Sequence, residues 1–185
     1  ALVPIKTLTA SSSSTLSFVH GSSDVVLDST YPIYVFKYIN IHPATDNVQF
    51  QFNMSVDTGS NYNVAKTSIY FYAYHGEDDA EGSGLTYYTT GDLAQGTGSQ
   101  PLSYSLGNGN DESLSGELTI YNPSSTTFVK HFIANNNVYH KSDFSQERFV
   151  AGYGNNTSAV DAIKFEMSSG NIDAGTIKLY GIKDS

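Results

Sequence analysis

Apolar and polar residues alternate with a period of two through most of this chain. The cleanest stretch is NVQFQFNMSVD (47–57). There Val48, Phe50, Phe52, Met54 and Val56 alternate with Asn47, Gln49, Gln51, Asn53, Ser55 and Asp57. Period two sends every second side chain to one face, so the stretch predicts a strand with one face buried. IYVFKYINIH (33–42) is apolar on both faces at its start and predicts a central strand covered on both sides. KTSIYFYAYH (66–75) sends Ile69, Phe71 and Ala73 to one face and Tyr70, Tyr72 and Tyr74 to the other. LTYYTT (85–90), LSYSL (102–106), QERFVAGY (146–153), AVDAIKFEMSS (159–169) and GTIKLYGIK (175–183) continue the texture. GELTIYNPSSTTFVKHFIA (116–134) predicts a hairpin turning at Asn122-Pro123-Ser124-Ser125. Proline sits at the second turn position, where its fixed φ fits.

No segment keeps a helical period over three turns, and no longer period repeats. The pattern therefore predicts an all-β fold: an antiparallel β-sandwich, jelly-roll-like, of about nine or ten strands. Residues 15–185 form its single domain. Residues 1–14 read as an arm in which Val3, Pro4 and Ile5 dock on a neighbour and Ser11 to Ser14 are a flexible tract; the alternative is a frayed terminus. The last strand, at the end of the chain, is expected to pair with an early strand and close the sandwich. Gly181, between Tyr180 and Ile182, marks a bulge or a close backbone approach.

Composition supports one domain with a strand-rich core: 185 residues, 14 Tyr, 10 Phe and no Trp. A formal charge of −9 disfavours nucleic acid and anionic membrane surfaces as partners. No apolar run is long enough for a membrane-spanning helix, so no membrane insertion is expected. The absence of cysteine excludes disulfides, thiol catalysis and thiolate-bound metals, and favours folding in a reducing cytoplasm. The start, ALVPIKTLTASSSS, has no signal-peptide pattern and reads as a terminus from which the initiator Met was removed, hence a whole small protein.

The candidate binding residues are Tyr70, Tyr72 and Tyr74 with His75 beside them, an aromatic stripe that Tyr87 and Tyr88 could extend. Tyrosine stripes stack on sugar rings or anchor protein interfaces; the competing reading is burial beneath a loop or second layer. The five histidines (His20, His42, His75, His131 and His140) lack the spacing of a helical zinc site. The acidic loop Glu77, Asp78, Asp79, Glu81 lacks the spacing of a calcium loop and reads as solvated. Neither a metal nor a cofactor is expected. Asp28, Asp46, Asp57, Glu117, Asp143, Glu147 and Asp161 are available for glycoside hydrolysis, but sequence cannot pair them across a cleft. Nucleophile-elbow and phosphate-cradling motifs are absent. Three glycosylation sequons (at Asn53, Asn155 and Asn156) read as chance matches in an Asn/Ser/Thr-rich chain.

GSNYN (59–63), GELTIYNPSSTTFVKHFIA (116–134) and above all AIKFEMSSGNIDAGTIKLYGIK (162–183) resemble a loosely defined set of tailed-bacteriophage virion proteins, familiar from phages of marine bacteria and cyanobacteria. The resemblance runs from about Thr15 to Lys183 and implies a small, non-enzymatic β-sandwich with a structural or tail-related role. It carries no settled functional residues. The implied protein is exposed on the virion, after assembly in the host cytoplasm, as a capsid decoration or head appendage. Its partners would be the major capsid protein or tail proteins and further copies of itself, with a homotrimer expected by analogy. The alternative is a tail-associated module, as at a tail fibre tip, that binds a host surface glycan. An enzyme such as a polysaccharide depolymerase is the third reading and would need a carboxylate pair facing a groove.

Overall fold

The computed structural model describes residues 1–79 and 82–183. Its strands in chain order are β1 (Leu2–Thr9), β2 (Thr15–Val19), β3 (Ile33–Pro43), β4 (Phe50–Ser55), β5 (Lys66–Gly76), β6 (Ser83–Tyr87), β7 (Gln100–Pro101), β8 (Leu114–Tyr121), β9 (Lys130–His140), β10 (Phe144–Gly154), β11 (Ala162–Met167) and β12 (Ile172–Ile182). They form two sheets, one of eight strands in the order β1-β12-β3-β8-β9-β10-β5-β6 and one of four in the order β2-β11-β4-β7. Every pairing is antiparallel. The molecule is thus an all-β sandwich, with the chain passing repeatedly between a large and a small sheet.

The alternation at 47–57 is realised in β4: Phe50, Phe52 and Met54 are fully buried between the sheets. Phe50 and Phe52 meet Phe165 of β11, whose ring lies 5.4–6.4 Å from those of Phe18, Phe36, Tyr38, Phe50 and Phe52. Aromatic residues on alternate positions of facing strands thus form the centre of the core, with Leu, Ile and Val around them. On β3, Tyr34, Phe36 and Tyr38 point inward and Val35, on the opposite face, is buried too. The double-sided apolar start of 33–42 has that cause. The hairpin at 116–134 is present. Ser125 N–H donates to Asn122 O at 3.1 Å across the turn, although the second strand resumes only at Lys130. LSYSL is not a strand. Leu102 and Leu106 are buried through hydrogen bonds to the β4 side, and the short β7 precedes them.

The N-terminus departs from expectation. Val3, Pro4 and Ile5 do not extend as an arm towards a neighbour; they lie within β1, which pairs with β12 from Leu2↔Ile182 to Thr9↔Thr176. The pairing continues beyond the strand, with Ser13 bridging Ile172. The cause is physical: without β1 the outer edge of β12 would leave its N–H and C=O groups unpaired, and Ile5 and Leu8 pack against the core. A register shift between Pro4 and Lys6 interrupts the ladder. The serine tract 11–14 is the crossover to the small sheet. The last strand, β12, lies between β1 and β3, with Ile177 and Leu179 in the core. Gly181 marks a close approach: a Cβ there would sit 2.3 Å from the ring of Tyr31.

Candidate functional site

Because β5, β10, β9 and β8 run in register, their outward residues form rows across the large sheet. One row reads Ile69, Ala151, Ile133, Thr119, Val35, Tyr180. The row beside it carries Tyr153, His131, Tyr121, Ile33, Ile182 and Leu2. On the other side lie Tyr87, Phe71 and Phe149, then Asn135, Glu117 and Lys37. Phe71 and Phe149 stack at 4.9 Å, and Lys37 Nζ is 2.7 Å from Glu117 Oε2. One row further, two residues along each strand, the face turns polar over β10, β9 and β8, with Glu147, Asn137 and Ser115, while Ala73 and Leu85 keep it apolar on β5 and β6.

Among the described residues, the exposed large apolar side chains are Leu2, Ile39, Ile69, Leu85, Tyr87, Tyr121, Phe128 and Ile133. By strand register all but Phe128 are on this outer face, and Phe128 is in the loop joining β8 to β9 at the apolar end. Ile69 is 47% and Ile133 52% exposed. Between them, over Ala151, runs an open groove of about 470 Å³ bordered by His131 and Tyr153. A second hollow of about 360 Å³ is lined by Phe71, Ile133 and Phe149. The small sheet shows no such face: its outward residues include Gln51, Asn53, Lys164 and Glu166. Apolar side chains concentrated on one face, rather than scattered, mark an interaction surface.

The predicted tyrosine stripe is on the opposite, inner face of β5. Tyr70 is fully buried, beneath Tyr104 and against Gly91, where a Cβ would fall 2.6 Å from its ring. Tyr72 and Tyr74 are half-buried. They join Tyr88, Tyr104, Phe144 and His140 in a chain of ring contacts of 4.8–5.9 Å. This aromatic shelf runs along the inner face of β5 and the β9–β10 turn, with Tyr88 and Tyr104 laid over it. His75 does not belong to it. Neighbouring residues of a strand alternate faces, so His75 points outward and pairs with Asp79 at 3.2 Å. Tyr88 extends the shelf, whereas Tyr87 is on the outer face and donates to Asp92 Oδ2. Of the acidic loop, Glu81 lies outside the described residues.

Three cations are buried where sequence reads ordinary strand positions. Arg148 lies under the shelf, its guanidinium 4.2 Å from the Tyr72 ring and 5.6 Å from that of Tyr70. It donates to the side-chain oxygen of Gln146 and to Tyr104 O. Lys66 Nζ donates to Asn53 Oδ1 at 2.6 Å and to Val64 O at 2.8 Å, and burial lowers its pKa to about 7. Lys130 Nζ donates to Phe128 O and Asn156 O, and burial lowers it as well. These ammonium groups cap loop carbonyls beside the sandwich, fastening the 56–64 and 155–157 segments to β5 and β9. Burial likewise pushes the Tyr70 hydroxyl up and, with Arg148 nearby, pulls His140 down.

Four of the candidate carboxylates serve local structure. Asp57 accepts from Ser55 and Asn61, which lowers it to about 2, and Asp161 accepts from Thr58 N–H. Asp28 accepts from Thr30, and Glu117 pairs with Lys37. No three His, Asp or Glu side chains among the described residues converge as metal ligands. No family model matches the chain, and neither a curated protein nor a solved structure is found to be similar to it.

Proposed function

We propose that this chain is a non-enzymatic structural protein of a bacteriophage particle, exposed on its surface as a capsid decoration or head appendage and acting through capsid and self contacts. The observation that carries this is the apolar half of the large sheet's outer face. A rigid sandwich with one broad apolar face and a polar remainder is built to be seated by contact. The sequence resemblance at 162–183 supplies the virion context. Cryo-electron microscopy of the particles tests it: many ordered copies on the head support decoration, and absence from purified particles overturns the reading.

The aromatic shelf favours a second reading, a tail-associated module that stacks a host surface glycan on Tyr72 and Tyr74. Tyrosine faces half open to water suit pyranose rings. A few copies on the tail, together with glycan-array binding that Tyr74→Ala abolishes at unchanged melting temperature, would favour it. Array silence would remove it.

A further inference from the structure

We propose that the apolar half of the large sheet's outer face is a homomeric interface, covered in solution by further copies of this chain. The inference rests on the structural-protein reading and names the partner of its principal surface. Charge selects that partner. The chain carries −9 overall, so two copies repel over most of their surfaces. Among the described acidic residues only Glu117 falls on the three apolar rows, and it is neutralised by Lys37 at 2.7 Å, with Lys178 opposite Lys37 on β12. This is the face on which two acidic copies meet with no carboxylate left unpaired by a lysine among these rows.

Area and relief agree. Rows six strands wide, at about 4.8 Å per strand, and three deep, at about 6.8 Å per row, cover roughly 30 Å by 20 Å, or about 600 Å² in flat projection. A textured surface of that footprint approaches the roughly 800 Å² per partner of a standard protein interface. Ile69 and Ile133 stand up on either side of the groove floored by Ala151, and the Phe149 hollow lies next to it. Knobs and hollows of similar size therefore alternate on one face. A symmetric assembly can set the Ile133 of one copy into the hollow of another. Phe128, 70% exposed at the same end, adds a further anchor.

Sedimentation velocity of the purified chain at micromolar concentration tests this, with Ile133→Asp, Ile69→Lys and, on the polar half of β9, Asn137→Asp. The expected result is a wild type of two or three chains, an Asn137→Asp variant that matches it, and monomeric Ile133→Asp and Ile69→Lys with unchanged circular-dichroism melting. Both isoleucines are exposed in the single chain, so neither change enters the core; if one variant misfolds, the other decides. A wild type that stays monomeric across the concentration range overturns the proposal, as does an oligomer indifferent to both isoleucine variants. The two failures are separable. A monomer that nonetheless decorates purified particles sinks this inference alone, and an oligomer missing from particles sinks only the virion reading.

Discussion

Lys66 places an ammonium group inside the protein, held by two neutral oxygen acceptors, Asn53 Oδ1 and Val64 O. Replacing it with Met should remove a specific dependence of stability on pH. Its pKa falls from an ordinary 10.5 to about 7, with burial the cause. A depressed folded-state pKa contributes stability that is fully present above the unfolded pKa and lost as pH falls towards the folded one. The wild type should therefore gain stability as pH rises from 7. Linkage puts the cost of carrying Lys66 at about 4 kcal/mol at pH 7 and about 2 kcal/mol at pH 9, a differential gain of about 2 kcal/mol. Above that the tyrosines begin to ionise and obscure the comparison. Urea unfolding followed by far-ultraviolet circular dichroism at pH 7, 8 and 9 measures it in both proteins. The comparison must be of slopes, because Lys66→Met also strips a donor from Val64 O, whereas Asn53 Oδ1 keeps the Met54 N–H. Parallel stability curves for the two proteins would refute the account and mean that Lys66 stays fully charged where it lies.

Three further outcomes follow from the packing. Phe165→Ala empties the centre of the aromatic core and should cost about 3–5 kcal/mol, read as a lowered urea midpoint. Gly181→Ala drives a methyl group into the Tyr31 ring and should cost roughly 1–3 kcal/mol, whereas equal melting temperatures would show that the ring swings away freely. Deleting residues 1–9 strips β1 from β12, so the truncated chain should melt earlier and aggregate on heating; light scattering identical to the full chain would count against a stabilising role for the edge strand.

Alternation makes the sandwich legible where one face of a strand is distinctly apolar, as at Phe50, Phe52 and Met54. It does not do so at the N-terminus. LVPIKTLT contains a proline that argues against a strand, and what makes it one is the open edge of β12, distant in sequence. On β5 both faces are apolar, so sequence separated Tyr70, Tyr72 and Tyr74 from Ile69, Phe71 and Ala73 correctly but could not say which set faces the small sheet. The tyrosines face it, which buries Tyr70 and leaves the isoleucine side in the open. Adjacency groups His75 with the tyrosines, although a period of two assigns it to the other face. The buried cations left no trace in the pattern. A lysine opening a strand looks solvated, and only the loops folded over Asn53 and Asn156 enclose Lys66 and Lys130.

The margins of the large sheet bear on the shape of anything it builds. One margin is β1, where Pro4 lacks an N–H and the ladder slips at the next residue; the other is β6, only five residues long with Gly84 at its second position. Such margins resist the addition of another strand. Growth by sheet extension, which has no natural stopping point and leads to ribbons and fibrils, is thereby blocked at both ends. What these margins leave open is contact through the face of the sheet rather than along its edge.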